Sequence, residues 1–298
     1  MKNKKFSAFS FVELSIVILI IGILIAGVVS ASRLVGEYRL TTARNTSSSS
    51  AVASISGVVL WLDATASGKV ESASGVEAVD ATAVSTWIDS NPQTTNLFSF
   101  TASAGGPSYK RDGINNLPTL SFDGNATGAV GSLGCLTTAY SGVLNPAKFT
   151  TFIVARPIVE VTSNSGALYY SMVTTAGSGA GYSMTKTNGK LTTTSVSAAT
   201  PALVQTEGAA TISSNVVFVS KRTATQMVSY LNGATLEAET AAFLPNTTAA
   251  SFIGCNSTAA TYFNGYISEV IMYERDLKDE ERKAVEGYLG KKYGIKIS

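Results

Sequence analysis

The chain has 298 residues, a formal net charge of +2 and only 14% charged residues. The small net charge excludes the strong positive field of a nucleic-acid-binding protein, and the low charged fraction argues against a disordered chain. Histidine is absent, which excludes Ser-His-Asp and Cys-His catalysis in their usual forms and removes the commonest transition-metal ligand.

The first predicted element is an apolar helix close to the N-terminus. Lys2, Lys4 and Lys5 form a short basic stretch, and residues 14–29 are almost wholly apolar. Together with residues 9–12, this segment is about 20 residues long, which matches the span of a bilayer core. The lysines predict that its N-terminal end faces the cytoplasm.

Glu13 is a charged residue inside this apolar segment. A charge at the centre of a membrane helix costs about 2.5–3.5 kcal/mol on insertion scales, so such residues usually have a function. An ordinary secretory signal would not contain this charge and would end in a small-residue cleavage site. A simple membrane anchor with one tolerated glutamate is the alternative interpretation.

Residues 8–14, with the sequence AFSFVEL, resemble the class III signal of type IV prepilins and pseudopilins. The resemblance implies that a prepilin peptidase cleaves between Ala8 and Phe9, that Phe9 becomes N-methylated, and that Glu13 is the fifth mature residue. It also implies that Phe9 and Glu13 act in filament assembly, where the carboxylate can pair with a neighbour's N-terminal amine and fix the register of the helices. Ala8 departs from the family pattern, which prefers glycine there.

The segment after the apolar helix leads into the second part of the chain. Residues 30–44 can continue the helix, and the polar run at 45–50 (NTSSSS) predicts a linker or a helix end. We therefore predict a leader peptide at 1–8, a membrane and filament-core helix with a serine-rich linker at 9–50, and a globular domain at 51–298.

The globular domain is predicted to be an all-β sandwich. Short apolar runs, several with period-two alternation, are separated by Gly, Asn, Asp and Ser, and Asn232-Gly233 is a hairpin-turn pair. Residues 277–293 instead predict a C-terminal amphipathic helix with acids early and lysines late, and Gly294 is its stop. The clearest strand candidates are residues 58–62, 119–122, 149–155, 216–220, 227–231 and 266–273.

The order of several short motifs resembles the concanavalin A-like, LamG-type jelly rolls of bacterial surface proteins. The resemblance covers most of residues 57–295 and implies a domain that binds carbohydrate or protein, sometimes with calcium, or that is purely structural. The motifs lie at residues 60–64 (LWLDA), 87–89 (WID), 116–118 (NLP), 120–124 (LSFDG), 152–155, 252–254, 263–270, 279–282 and 293–294.

Candidate site residues in the sandwich are few. Cys135 and Cys255 are predicted to form a disulfide in an exported chain, and two buried free thiols are the alternative. Asp63, Asp89 and Asp123 follow strands and could bind calcium, although aspartate is also common in turns. No other cofactor is predicted.

Aromatic and acidic residues give no clear catalytic site. Trp61 and Trp87 could stack on sugar rings, but core packing is the favoured interpretation. Glu269 is predicted to face solvent and Glu274 to begin the turn before the helix, so no acid pair flanks a cleft and no enzyme is predicted. The tyrosines considered as surface sugar contacts are Tyr109, Tyr169, Tyr170 and Tyr182.

These patterns together predict a type IV pilin-like subunit. The subunit would be held in the inner membrane before assembly, and the pilus machinery would then assemble it into an extracellular homopolymer. The sandwich would be displayed on the filament surface, where it could bind a carbohydrate or a host-surface ligand. The alternatives are a low-abundance minor pilin adhesin, a type II secretion pseudopilin, and a tethered glycan-cleaving enzyme. No nucleic-acid partner is predicted.

Overall fold

The computed structural model describes residues 11–102, 106–124, 134–139, 141–158, 166–175, 178–187, 190–196, 203–207, 214–240, 250–256 and 262–298. Ala8 and Phe9 lie outside these residues, so cleavage and methylation remain predictions. The chain divides into two compact units, Met1–Thr42 and Ala43–Ser298.

The apolar segment forms helix α1, Phe11–Ser48. Its hydroxyl side chains donate to backbone carbonyls one turn earlier, for example Ser15 to Phe11 at 2.7 Å and Ser32 to Val28 at 2.9 Å. These bonds allow polar side chains in an apolar helix without unsatisfied hydroxyl groups. The polar run at 45–50 includes the end of this helix, and residues 43–48 belong to the second unit.

The second unit is a sandwich of short strands followed by a C-terminal helix, α2 (Asp279–Tyr293). Each strand predicted from the sequence is present. Within the described residues the strands are β1 (Val58–Asp63), β2 (Val70–Ala73), β3 (Val76–Glu77), β4 (Thr86–Ile88), β5 (Ser99–Ala102), β6 (Ser108–Lys110), β7 (Thr119–Asp123), β8 (Leu136–Thr138), β9 (Phe149–Pro157), β10 (Gly166–Thr175), β11 (Ser178–Thr187), β12 (Lys190–Val196), β13 (Leu203–Glu207), β14 (Val216–Arg222), β15 (Gln226–Leu231), β16 (Ala234–Thr240), β17 (Ser251–Ile253) and β18 (Asn264–Tyr273).

The strands form two antiparallel sheets. The first has the order β16-β15-β14-β9-β18-β7-β6, and the second has the order β13-β12-β11-β10-β17-β8-β5-β4-β2-β3. Strand β18 is long enough for two partners on one side, because β7 pairs with its first half and β1 with its second half. Many short antiparallel strands in two layers are typical of jelly rolls.

The first sheet is buried on both faces. Ile153 and Ala155 of β9 pack in the core between the two sheets, whereas Phe152 and Val154 pack in a second core that includes Val285 of α2. Burial on both faces explains why β9 is a nearly continuous apolar run rather than an alternating one. Helix α2 therefore covers the outer face of this sheet.

Two turns follow the predicted chemistry. Asn232 and Gly233, between β15 and β16, both have positive φ angles, 50° and 87°, as a type I′ hairpin turn requires. Gly294 ends α2 in the left-handed conformation with φ 63° and ψ 31°. Both turn predictions are confirmed.

Candidate functional site

The apolar half of α1 is the first candidate site. The described residues contain one helix that is long and apolar enough to cross a membrane. A signal sequence near the N-terminus can have the same properties. The side chains of residues 11–29 are exposed on every side of the helix, and Glu13 lies in its first described turn. A helix that is apolar all round needs lipid or other apolar helices around it.

The second candidate is a buried cluster of charges in the sandwich unit, which we call the Lys292 cluster. The ammonium group of Lys292 lies 2.7 Å from Asp63 Oδ2 and 2.8 Å from Glu269 Oε2. The cluster brings together the end of α1, the paired strands β1 and β18, and the last turn of α2. Its members are Ser47, Trp61, Asp63, Glu269, Tyr288, Lys292 and Tyr293.

Glu269 is buried, so the prediction that it faces solvent is wrong. Its carboxylate accepts hydrogen bonds from Trp61 Nε1 at 2.7 Å, Tyr288 OH at 2.7 Å and Tyr293 OH at 2.9 Å, besides the Lys292 contact. The physical reason is twofold. First, a register shift in β18 beside Glu269 interrupts the regular alternation of inward and outward side chains along the strand. Second, α2 covers the outer face of the first sheet, which a sandwich of two layers alone would leave exposed to water.

Burial and charge pairing act in opposite directions in the Lys292 cluster. Burial alone would raise the pKa of Asp63, but the charge and hydrogen bond of Lys292 and the two hydrogen bonds from Thr65 together outweigh it and lower that pKa. Burial raises the pKa of Glu269 in spite of Lys292. Burial alone would lower the pKa of Lys292, but the two carboxylates raise it. The Lys292 ammonium therefore stabilises the charged form of Asp63 more than that of Glu269.

The three aspartates considered for calcium have different environments. Asp63 binds Lys292, and Asp89 Oδ1 accepts the backbone N–H groups of Trp61 and Asn91 at 2.9 Å, as turn aspartates do. Asp123 is exposed at the end of β7. The described residues contain no group of three or more His, Cys, Asp or Glu side chains that could hold a metal ion.

The structure places Cys135 and Cys255 in a disulfide, with their Cα atoms 5.4 Å apart. This separation is ordinary for disulfides. The bond extends the pairing of β8 with β17, which each cysteine adjoins in sequence. It therefore joins neighbouring strands of the second sheet.

The aromatic side chains considered for sugar stacking are mostly internal. Trp61 and Trp87 are buried, as the core interpretation predicts. Tyr169 and Tyr182 are also buried, stacked with their ring centroids 5.3 Å apart, so the prediction that they are surface contacts is wrong. The reason is that both side chains belong to the core between the sheets, where Tyr182 also stacks on Phe149 of the first sheet. Tyr109 is partly buried. Tyr170 lies in β10, but its side chain is not among those that the structure describes.

A cavity of about 510 Å³ adjoins the Lys292 cluster. Ser47, Trp61 and Asp63 contribute to its wall, together with Arg44 and Pro92. Arg44 donates from Nε to the carbonyl of Thr65 at 2.7 Å, so its guanidinium is held at this wall. The cavity is large enough for a small molecule or several waters.

Comparison with known proteins agrees with this architecture. A family model described as Laminin_G_3, Concanavalin A-like lectin/glucanases superfamily, matches residues 137–281. No curated protein matches the sequence.

Two solved structures resemble the chain. The binding domain of Paraclostridial Mosquitocidal Protein 1 has a TM-score of 0.56 and 14% identity over 77% of this chain and 52% of that chain. The Botulinum neurotoxin serotype G binding domain has a TM-score of 0.53 and 12% identity over 78% of this chain and 51% of that chain. This chain thus spans about half of each structure, and at these identities the likeness shows the fold alone. After its long apolar helix, the chain therefore forms a two-sheet β-sandwich with a concanavalin A-like fold.

Proposed function

We propose that this protein is a type IV pilin-like subunit that is held in the inner membrane by α1 and polymerises through the same helix into a surface filament. The observation that carries the proposal is the exposure of apolar residues 11–29 around the whole helix. Such a surface is unstable in water. Copies of the same helix, packed side by side, would bury it outside the membrane.

Glu13 gives this packing a preferred register. A carboxylate inside a bundle of apolar helices is costly unless a positive group pairs with it. The N-terminal amine of Phe9 in a neighbouring subunit, created by cleavage after Ala8, is the group that we propose. One favourable stagger between adjacent helices would then recur along the filament.

We further propose that the jelly roll faces outward and binds a carbohydrate or a protein on another surface. The two similar structures are both named as binding domains, one of them of a neurotoxin, which favours a binding role over a purely structural one. A glycan array probed with the purified protein tests this second role. Binding of a defined glycan class supports an adhesin, and an array without any bound glycan contradicts the carbohydrate proposal.

The filament proposal is tested by electron microscopy of filaments sheared from cells, with N-terminal sequencing of their main subunit. We expect filaments made of this chain beginning at a methylated Phe9. Processed protein found only as a rare filament component would indicate a minor pilin adhesin, and processed protein found only in the periplasm would indicate a pseudopilin. Protein that retains Met1 would refute the pilin assignment.

A matched pair of variants tests the role of Glu13. Glu13→Gln removes the charge from the apolar segment and should abolish filaments while the protein still fractionates with the membrane. Glu37→Gln makes the same change in the polar part of α1 and should leave filament number unchanged. Normal filaments in the Glu13→Gln strain would contradict the register argument.

A further inference from the structure

The Lys292 cluster brings an amine and two carboxyl groups together in a buried site. The side chains of Lys292 and Glu269 are 0% exposed and that of Asp63 is 2% exposed. Lys292 Nζ is 2.7 Å from Asp63 Oδ2, although 229 residues separate the two in sequence. We propose that Lys292 and Asp63 become joined by an intramolecular amide bond in the folded protein, with Glu269 as the group that moves the protons.

Proximity is the first argument. An amine and a carboxyl group held in contact react as if at an effective concentration of up to about 10⁵–10⁸ M. In the fold Asp63 ends β1 and Lys292 lies in the last turn of α2, and both elements are fixed by β18 and by the second core. The two groups therefore cannot separate without local unfolding of the domain.

The second argument is the polarisation of the Asp63 carboxyl group. Its Oδ1 accepts hydrogen bonds from the backbone N–H of Thr65 at 2.8 Å and from the Thr65 hydroxyl at 2.7 Å. Two donors on one oxygen stabilise the negative charge that develops there when a nucleophile attacks the carbon. Oδ1 is then the oxygen that stays in the amide, and Oδ2, which contacts Lys292, is the oxygen that leaves.

The third argument is a path for the protons. Glu269 Oε2 is 2.8 Å from Lys292 Nζ, and burial raises the pKa of Glu269, which suits a proton acceptor. From Glu269 Oε1 the path continues to Tyr288 OH at 2.7 Å, to Ser47 Oγ at 3.1 Å and to Asp63 Oδ2 at 2.8 Å.

The step is balanced without an oxidant or a co-reactant. Starting from the ion pair, Lys292 gives one proton to Glu269, and the free amine then attacks the carboxyl carbon of Asp63. The bond between that carbon and Oδ2 breaks, and Oδ2 leaves as water with two protons, the one that Glu269 took from Lys292 and a second one from the amine. The third proton stays on the amide nitrogen. Glu269 ends in its starting state, and a new amide replaces the ammonium and the carboxylate.

The surroundings favour the amide over the ion pair. The amide removes the buried Lys292–Asp63 ion pair with its desolvation penalty, and the carboxyl group of Glu269 keeps its hydrogen bonds from Trp61, Tyr288 and Tyr293. Asp63 and Ser47 line the cavity of about 510 Å³, which gives the released water a way out.

The cross-link would strengthen the point at which tension enters the domain. Strand β1 follows α1 in the chain, and among the described strands it pairs with β18 alone. A pull on α1 would reach β1 once the buried contacts of residues 43–52 are broken, and β1 would then be held only by its pairing with β18 and by hydrogen bonds to residues 89–91. An amide to α2 would hold β1 by a covalent bond instead.

Mass spectrometry of the full-length protein, extracted in detergent and reduced, tests the proposal. We expect a trypsin-resistant bond that joins the peptides containing Asp63 and Lys292, with a mass one water below their sum. Linear peptides cleaved after Lys292, in folded wild-type protein, would overturn the proposal. This measurement needs no variant that must fold.

Three variants define the roles of the residues. Lys292→Arg keeps the positive charge and should lose the cross-link completely, so that the denatured, reduced chain migrates more slowly in gels than the looped wild type. Glu269→Gln should greatly reduce the cross-linked fraction while Lys292 and Asp63 remain. Asp63→Asn should still react, with loss of one ammonia instead of water. Equal cross-linking in Glu269→Gln and wild type would refute the proton-transfer role.

Discussion

Loss of the Cys135–Cys255 disulfide should destabilise the sandwich strongly, because the bond closes a long loop. The cysteines are 120 residues apart in sequence. In the chain-entropy model, opening a loop of this size costs about 4.9 kcal/mol at room temperature. This value is an upper limit, because denatured chains retain some structure and an Asp63–Lys292 amide would already constrain the region around both cysteines.

The assay is urea unfolding of the detergent-extracted protein with and without a reductant, followed by tryptophan fluorescence. With a slope of about 3 kcal/mol per M, the unfolding midpoint should fall by about 1.6 M urea on reduction. The double variant Cys135→Ser, Cys255→Ser should unfold at the lower midpoint and should not respond to the reductant. An identical midpoint for oxidised and reduced wild type would refute the reasoning.

Further predictions concern two glycines and one surface ion pair. Gly254→Ala should destabilise by about 2–3 kcal/mol, because its φ is +83° and a new Cβ would lie 2.2 Å from Phe122 Cε1 in the core. Gly287→Ala, in an exposed position of α2 with open space around it, should instead stabilise by about 1 kcal/mol, and urea unfolding measures both. The paired hydrogen bonds from Arg275 lower the pKa of Glu281 to about 2 from 4.5, so this stabilisation is complete above pH 4.5 and is lost as the pH falls towards about 2. Unfolding of wild type and Glu281→Gln should therefore differ at neutral pH and converge in acid, and a constant difference would contradict the pKa argument.

Much of the architecture could be predicted from local patterns in the sequence. The long apolar strands β9, β14 and β18 and the Asn232-Gly233 turn have strong local signals. The short strands do not, since β2 (VESA) and β5 (SFTA) are four residues each and half polar. Periodicity cannot be recognised over so few residues, and their strand character comes from pairing with neighbours.

Local patterns do not predict the Lys292 cluster, because its members are distant in sequence. Asp63 is recognisable as the end of a strand, and Lys292 as a favourable charge at the end of a helix. The helix does contain one signal. Val285, Tyr288, Leu289 and Lys292 have the spacing i, i+3, i+4, i+7, which places the lysine on the buried face of α2. A charge on an apolar helix face predicts a buried partner elsewhere.

The last turns of α1 have a practical consequence for anyone who wants a water-soluble fragment. Ala43 and Ser47 are buried, and the Ser47 hydroxyl lies between Lys292 and Asp63. A fragment that begins at residue 51, where the polar run suggests a boundary, would remove these groups and leave the side chains of Lys292 and Asp63 each short of a hydrogen-bonding partner. Expression trials should therefore begin their fragments before Ala43, and a poorly folded shorter fragment would reflect the cut rather than an unstable jelly roll.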